Sequence, residues 1–216
     1  MNFPLSWFDI VVVILLGVGI FRGRKRGMSE ELLSVLQWLL IVYAASALYE
    51  PIGKGLSQTT SVFSLLACYV TVYIGIAIAI KLVFSSIRRA VGEKLVGSDV
   101  FGAGEYYLGM GAGALRFACM IILFLALLHA RAISTKEKIE SAKSQQDNFG
   151  SISFPTLGSI QDEVFEKSIT GRFVKTNLAQ LLIKDTASES RPLQKEGIGR
   201  RRERSVDEVM GGSPKK

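Results

Sequence analysis

The sequence predicts an all-α, multi-pass membrane protein with about four transmembrane helices and a partly helical C-terminal tail. Three observations predict it. Hydrophobic residues make up 49% of the 216 positions although 21% are charged, so the two kinds must be segregated along the chain. Most of the apolar residues fall into four long runs before Ala130. The connections between those runs are alternately rich and poor in Lys and Arg, as the loops of a multi-pass protein are.

The first run is Leu5 to Phe21, with Asp9 as its only charge. The second, Leu32 to Tyr49, is uncharged and holds Gln37 and Trp38. The third, Val62 to Ile80, is also uncharged, and the fourth, Tyr106 to His129, has Arg116 as its only formal charge. A crossing helix needs about 20 mostly apolar residues, with ~17 as a practical minimum. The first two runs sit near that minimum, so Trp7 and Tyr49 suit the interfacial ends. A soluble helix normally keeps a polar face, whereas Ser61 to Ile80 and Phe117 to Leu128 are apolar all round. Lipid offers nothing to an unpaired backbone, which favours helices, and the alternating short segments of a β-barrel are missing.

The N-terminus lacks the basic stretch of a signal peptide, since no Lys or Arg lies between Met1 and Ser6. The first run is therefore expected to remain as a membrane helix. The connection after it carries Arg22, Arg24, Lys25 and Arg26, and the connection after the third run carries Lys81, Arg88, Arg89 and Lys94. Glu50 to Ser61 has only Lys54. The positive-inside rule then puts both basic loops in the cytoplasm and both termini outside, on the periplasmic side of a Gram-negative inner membrane. Arg131, Lys136, Lys138 and Lys143 directly after the fourth run oppose that placement of the tail; with three spans the tail would be inside.

Residues 1–130 thus form the transmembrane domain, 131–185 an extramembrane linker and amphipathic helix, and 186–216 a disordered basic tail. Phe84, Ile87, Val91 and Leu95 recur at helical spacing, which fits either an amphipathic helix on the cytoplasmic face or an extension of the third helix. Ser134 to Gly150 reads as a helix or a linker. Ile160 to Ile183 reads as one helix weakened at Gly171, lying on the membrane boundary or packed against the loops. The last segment is too poor in apolar residues to fold alone. The net charge is +7, and 16 of the 26 Lys and Arg lie at or after Arg131. Beside long apolar runs, this charge points to anionic lipid rather than nucleic acid.

Charged groups inside a bilayer are costly, about 2.5–3.5 kcal/mol for a central Arg, so Arg116 needs a partner. Asp9 is the nearest carboxylate within a run, roughly 9 Å away in depth at 1.5 Å per residue. An Asp9–Arg116 pair is one reading. The other leaves Asp9 in the headgroup zone with Arg116 on backbone carbonyls. Gly109 and Gly113 share a helix face, where small residues allow close helix contact.

Catalytic signatures are thin. His129 is the single histidine, no phosphate-binding G-x-x-x-x-G-K-[ST] loop is present, and Gly102-x-Gly104 follows no strand. Cys68 and Cys119 lie in apolar runs without metal-ligand spacing. No enzyme activity, cofactor or metal is expected.

Three elements in order carry a resemblance. The first is Trp7-Phe8-Asp9 opening an apolar helix. The second is Arg26-Gly27 with Glu30 or Glu31 leading into Leu32 and Trp38. The third is Glu105 to Phe117, with Gly109, Gly113 and Arg116 at matching spacing. Over residues 5–130 the chain resembles the colicin V production protein (CvpA) family of small bacterial inner-membrane proteins. It departs from the family pattern with Glu105 for Asp, Tyr106 for Arg and Phe117 for Gly. The resemblance implies a non-enzymatic accessory factor associated with colicin V toxin production or export, or with envelope maintenance. The alternative is a small channel or transporter subunit whose polar path is lined by Arg116 and the Gly109/Gly113 face. Expected partners are membrane lipids, other membrane or envelope proteins, or a second copy of the chain.

Overall fold

A computed structural model describes residues 6–59, 63–96, 102–149 and 155–187. Three of its helices are long and apolar enough to cross a membrane: α1 (Trp7–Thr59), α2 (Leu65–Val96, of which Leu65–Ala90 qualifies) and α3 (Glu105–His129). After them come a two-residue strand β1 (Arg131–Ala132), α4 (Thr135–Phe149), α5 (Leu157–Asp162), α6 (Ile169–Asn177) and a second short strand β2 (Thr186–Ala187).

α1 has 53 residues, about 80 Å if straight, far more than a hydrocarbon core of about 30 Å requires. It is not straight. Gly27 has φ 75° and ψ 171°, a conformation that only glycine adopts without strain. It divides α1 into a first arm, 7–26, and a second arm, 28–59. Asp9 in the first arm and Tyr49 in the second both bond to residues of the 168–184 segment, so the arms double back on each other. The basic run Arg22–Arg26 is helical up to this reversal, because nothing before Gly27 breaks the helix. The second arm extends beyond the expected Leu32–Tyr49 at both ends.

α2 begins at Leu65 rather than Val62 and continues unbroken to Val96. The extension reading of 84–95 is thus the one that forms. Phe84 is buried, and Arg88 reaches the second arm at Ser34 and Gln37. Tyr69 and Tyr73 of α2 meet Tyr49 edge-on, at 5.4 and 6.2 Å between ring centroids. α2 therefore runs antiparallel to the second arm.

α3 packs along the first arm through glycines. A Cβ on Gly19 would stand 2.8 Å from the Gly113 carbonyl oxygen, and one on Gly109 would stand 2.5 Å from the Gly23 carbonyl oxygen. These are below any real Cβ contact, so the two backbones touch only because all four residues lack side chains. The exterior is apolar: Val13, Phe21, Leu82, Val83 and Phe124 are each more than half exposed. That suits a lipid surround, in which helices associate by close packing rather than by hydrophobic burial.

The expected single helix over 160–183 is not what forms. α5 passes into one π turn (Glu163–Lys167), Ser168 is extended at φ −74°, ψ 140°, and α6 starts after it. Gly171 is not a flaw in this segment. Its amide donates to the capping Ser168 Oγ, and a Cβ there would strike the Val164 carbonyl. The segment does not lie along a surface as an amphipathic helix. Val164, Phe165, Val174, Leu182 and Ile183 are buried in one core with Phe8, Val12, Ala45, Tyr49 and Leu125, so 155–187 closes one end of the bundle. β2 pairs in parallel with β1 (Arg131 opposite Thr186) and ties the segment to the exit of α3. Ser134–Gly150 takes the helical alternative as α4. The disordered tail expected at 186–216 lies outside the described residues except for β2.

Candidate functional site

Two polar clusters stand at opposite ends of the helices. At the end marked by Gly27, Glu31 of the second arm is fully buried, at 0% exposure. The Arg116 Nη1 donates to both its oxygens, at 3.0 and 2.7 Å. The Arg26 Nη1 donates to Oε1 of the same carboxylate at 3.3 Å. Glu31 thus neutralises the one formal charge inside the fourth apolar run and draws on a loop arginine as well. The Arg116 guanidinium lies 5.3 Å from the Phe117 ring centroid. Around this pair, Ser29, Ser34 and Gln37 are buried. The Arg88 Nη2 donates to Ser34 Oγ at 3.2 Å and to Gln37 Oε1 at 3.3 Å.

The expected Asp9–Arg116 pair does not form, and the geometry says why. Gly19 faces Gly113 and Gly23 faces Gly109, so Arg116 is level with position 16 of the first arm. Asp9 lies seven residues further toward the other end, about 10 Å away. Glu31 becomes reachable because the chain turns back at Gly27. It stands immediately before the apolar run at Leu32, so the sequence places it in a loop. Its signal was the Arg-Gly…Glu spacing, which gave no hint of a partner 85 positions on.

Apart from the Ser6 amide, Asp9 finds its partners outside the apolar runs, in the 168–170 segment. Its Oδ1 accepts from Ser168 Oγ (2.8 Å), Thr170 N (3.0 Å) and Thr170 Oγ1 (2.8 Å). Its Oδ2 accepts from Ile169 N (3.1 Å) and Ser6 N (3.2 Å). The carboxylate therefore sits on the free N–H groups at the start of α6 and favours that end through charge as well as hydrogen bonding. The same end is fastened at other points. Tyr49 Oη accepts from Lys184 N at 3.1 Å, and Lys184 Nζ donates to Glu50 at 2.7 Å. That hydrogen bond holds the Lys184 ammonium above its ordinary pKa. His129 Nδ1 bonds the Ile183 carbonyl at 2.9 Å, which places the proton of a neutral ring on Nδ1, and its ring meets Phe165 edge-on. Gln161 Nε2 donates to the Leu128 and Arg131 carbonyls at 2.6 and 2.8 Å, satisfying carbonyls left open where α3 ends. Arg131 pairs with Glu137. On the outer surface, the hydrogen bond from Lys167 lowers the pKa of Glu163.

The remaining expected residues divide by position. Gly109 and Gly113 form the backbone contact with the first arm, and the Glu105 side chain packs over Gly27. Arg26 and Arg88 turn to buried partners, while Arg22, Arg24, Lys25 and Arg89 are exposed. Cys68 and Cys119 are buried free thiols. Among the described residues no three His, Cys, Asp or Glu side chains cluster to hold a metal ion.

The arrangement can lock helices together and clasp an end segment. A comparison with curated proteins and one with solved structures gave no match. The model of the family described as Colicin V production protein matches residues 8–147, from the Phe8-Asp9 start through most of α4. The match covers more than half of the 216 residues and includes the Gly27 reversal, the glycine contact and Arg116, so the chain belongs to the Colicin V production protein family.

Proposed function

We propose that this membrane factor is a non-enzymatic accessory protein of the bacterial inner membrane that supports toxin production or export, or envelope maintenance. It crosses the bilayer four times, with the two arms of α1 as separate spans. The Gly27 end, with Arg22, Arg24, Lys25, Arg88 and Arg89, faces the cytoplasm, because short basic loops are retained there. The clasped end, with both the chain start and the 155–187 segment, then faces outward. The observation that carries this reading is the closed interface between the first arm and α3. Gly109 and Gly113 touch the backbone of Gly19 and Gly23, and Arg116 is spent on a fully buried Glu31. Neither is left to line a polar path within one subunit, which favours a scaffold over a channel or transporter subunit. Such a factor works by contact with other membrane or envelope proteins.

The test has two arms. Protein reconstituted in vesicles is assayed for ion and solute flux, and depleted cells are assayed for toxin yield and envelope leakage. The accessory reading expects no flux above empty vesicles, with a loss of yield or integrity in cells. Flux that Arg116→Leu alters would overturn it in favour of a conduction path.

A further inference from the structure

We infer that the groove between the first arm and the start of α3 is a binding site for one anionic phospholipid. Phe21, Arg24, Lys25, Tyr106, Tyr107 and Met110 line a groove of about 600 Å³. It exists because Gly23 and Gly109 bring the two backbones into contact just behind it. Larger residues project on either side of that contact and leave a trough between them.

Its chemistry is graded along its length. Arg24 and Lys25 are exposed, and no carboxylate pairs with either among the described residues, whereas their neighbour Arg26 is held by Glu31. The basic run is thus split in function. One arginine turns inward to the ion pair, and two cations are left at the groove. Lys25 Nζ stands 5.5 Å from the Phe21 ring centroid, over its face, so the ring holds the ammonium near the apolar wall. Phe21 and Met110 continue the groove toward the apolar exterior. Tyr106 and Tyr107 are 61% and 78% exposed, amphipathic rings of the kind that sit at headgroup level.

Depth selects a lipid over a free anion. Arg24 and Lys25 lie 17 and 18 residues from Trp7, about 26 Å along the arm. That is close to the thickness of a hydrocarbon core of about 30 Å, so a phosphodiester at the two cations leaves its acyl chains alongside Phe21 and Met110. Basic pockets between spanning helices recognise anionic headgroups by this combination. The site requires the chain to be embedded in lipid and the Gly27 end to lie at a membrane surface. It holds on either face of the membrane and whatever the cellular role.

The experiment is native mass spectrometry of the detergent-solubilised full chain, titrated with phosphatidylglycerol and with phosphatidylcholine of the same acyl chains. Two cations near one phosphate are expected to give about a thirty-fold preference for phosphatidylglycerol. Arg24→Gln/Lys25→Gln should abolish the preference, the charge-preserving Arg24→Lys/Lys25→Arg should keep it, and Lys81→Gln/Arg89→Gln should leave it unchanged. Equal binding of the two lipids by the unaltered protein overturns the inference, whatever the variants do. So does an equal loss in the Lys81/Arg89 variant, which would mean general charge attraction. Displacement by millimolar inorganic phosphate would mean an anion site without lipid specificity, and also overturns it.

Discussion

Glu31 and Arg116 are separated by 85 positions and meet at 2.7 Å with the carboxylate fully buried. The contact joins the second arm of α1 to α3 across the first arm's glycine seam. The mutual attraction of such a pair is largely offset by the cost of taking both charges out of water, whereas removing one member strands the other as a buried unpaired charge. Arg116→Leu or Glu31→Gln alone should destabilise by about 3–5 kcal/mol. In detergent this reads as a fall in apparent melting temperature of order 10 °C. Glu31→Gln leaves Arg116 unpaired, whereas Glu31→Leu with Arg116→Leu removes both charges and should recover much of the loss. A double variant no better than the worse single one would show that the two do not act as a pair.

The glycine seam makes an opposite-signed prediction for neighbouring glycines of α3. Gly109→Val and Gly113→Val place atoms into the Gly23 and Gly19 backbones, and overpacking of this kind costs about 1–3 kcal/mol or more. Gly111 faces open space within 4 Å. Gly111→Ala should be neutral or stabilise by up to about 1 kcal/mol through helix propensity. Thermal unfolding of the three variants in one detergent separates the cases. Equal tolerance at 109, 111 and 113 would mean that α3 does not meet the first arm through these residues.

The all-α class and the apolar runs were legible in the sequence because lipid imposes long, uniform apolar segments that need no tertiary knowledge to see. The glycine face at 109 and 113 was legible for a similar reason: small residues at i and i+4 announce a close neighbour, though not which one. What could not be read were pairings set by reversal of the chain. Gly27 stood out only as part of the Arg26-Gly27 element of the resemblance, with no reversal implied, yet its positive φ brings Glu31 to Arg116 and leaves Asp9 to the C-terminal segment. Ser168 carried a weaker signal. A Ser followed three residues later by Gly, within an apparent helix, does not reveal that it caps a new one, because the acceptor for its hydroxyl comes from 159 positions away.

Asp9 supplies acceptors for three groups at the start of α6, besides the Ser168 hydroxyl, and its loss should release the end segment rather than unfold the bundle. Asp9→Ala removes a cap worth about 0.5–2 kcal/mol and leaves buried donors unpaired at about 1–3 kcal/mol. Trypsin should then cut at Arg172 and Lys175 many-fold faster than in the unaltered protein, with α1 to α3 still protected in detergent. Asp9→Asn keeps one acceptor and should fall between. Unchanged cleavage in Asp9→Ala would mean that the Tyr49, Lys184 and His129 contacts hold the segment without it.

The antiparallel course of the two α1 arms fixes what a topology experiment must find if each arm crosses the bilayer. Arg89 lies at the Gly27 end and Lys167 at the clasped end, and both are exposed. In a background with the buried Cys68 and Cys119 replaced by Ala, single Arg89→Cys and Lys167→Cys variants present thiols at opposite ends of the helices. A membrane-impermeant maleimide applied to intact spheroplasts should label Lys167→Cys and spare Arg89→Cys, which reacts only after lysis. Because short basic connections are retained in the cytoplasm, the reverse pattern would place the basic end outside and overturn the orientation. Labelling of both from one side would mean that α1 does not cross twice. A fusion of a cytoplasm-dependent reporter after Phe149 adds an independent readout. It should stay inactive, because α4 leaves the exit of α3 at the same end as Lys167.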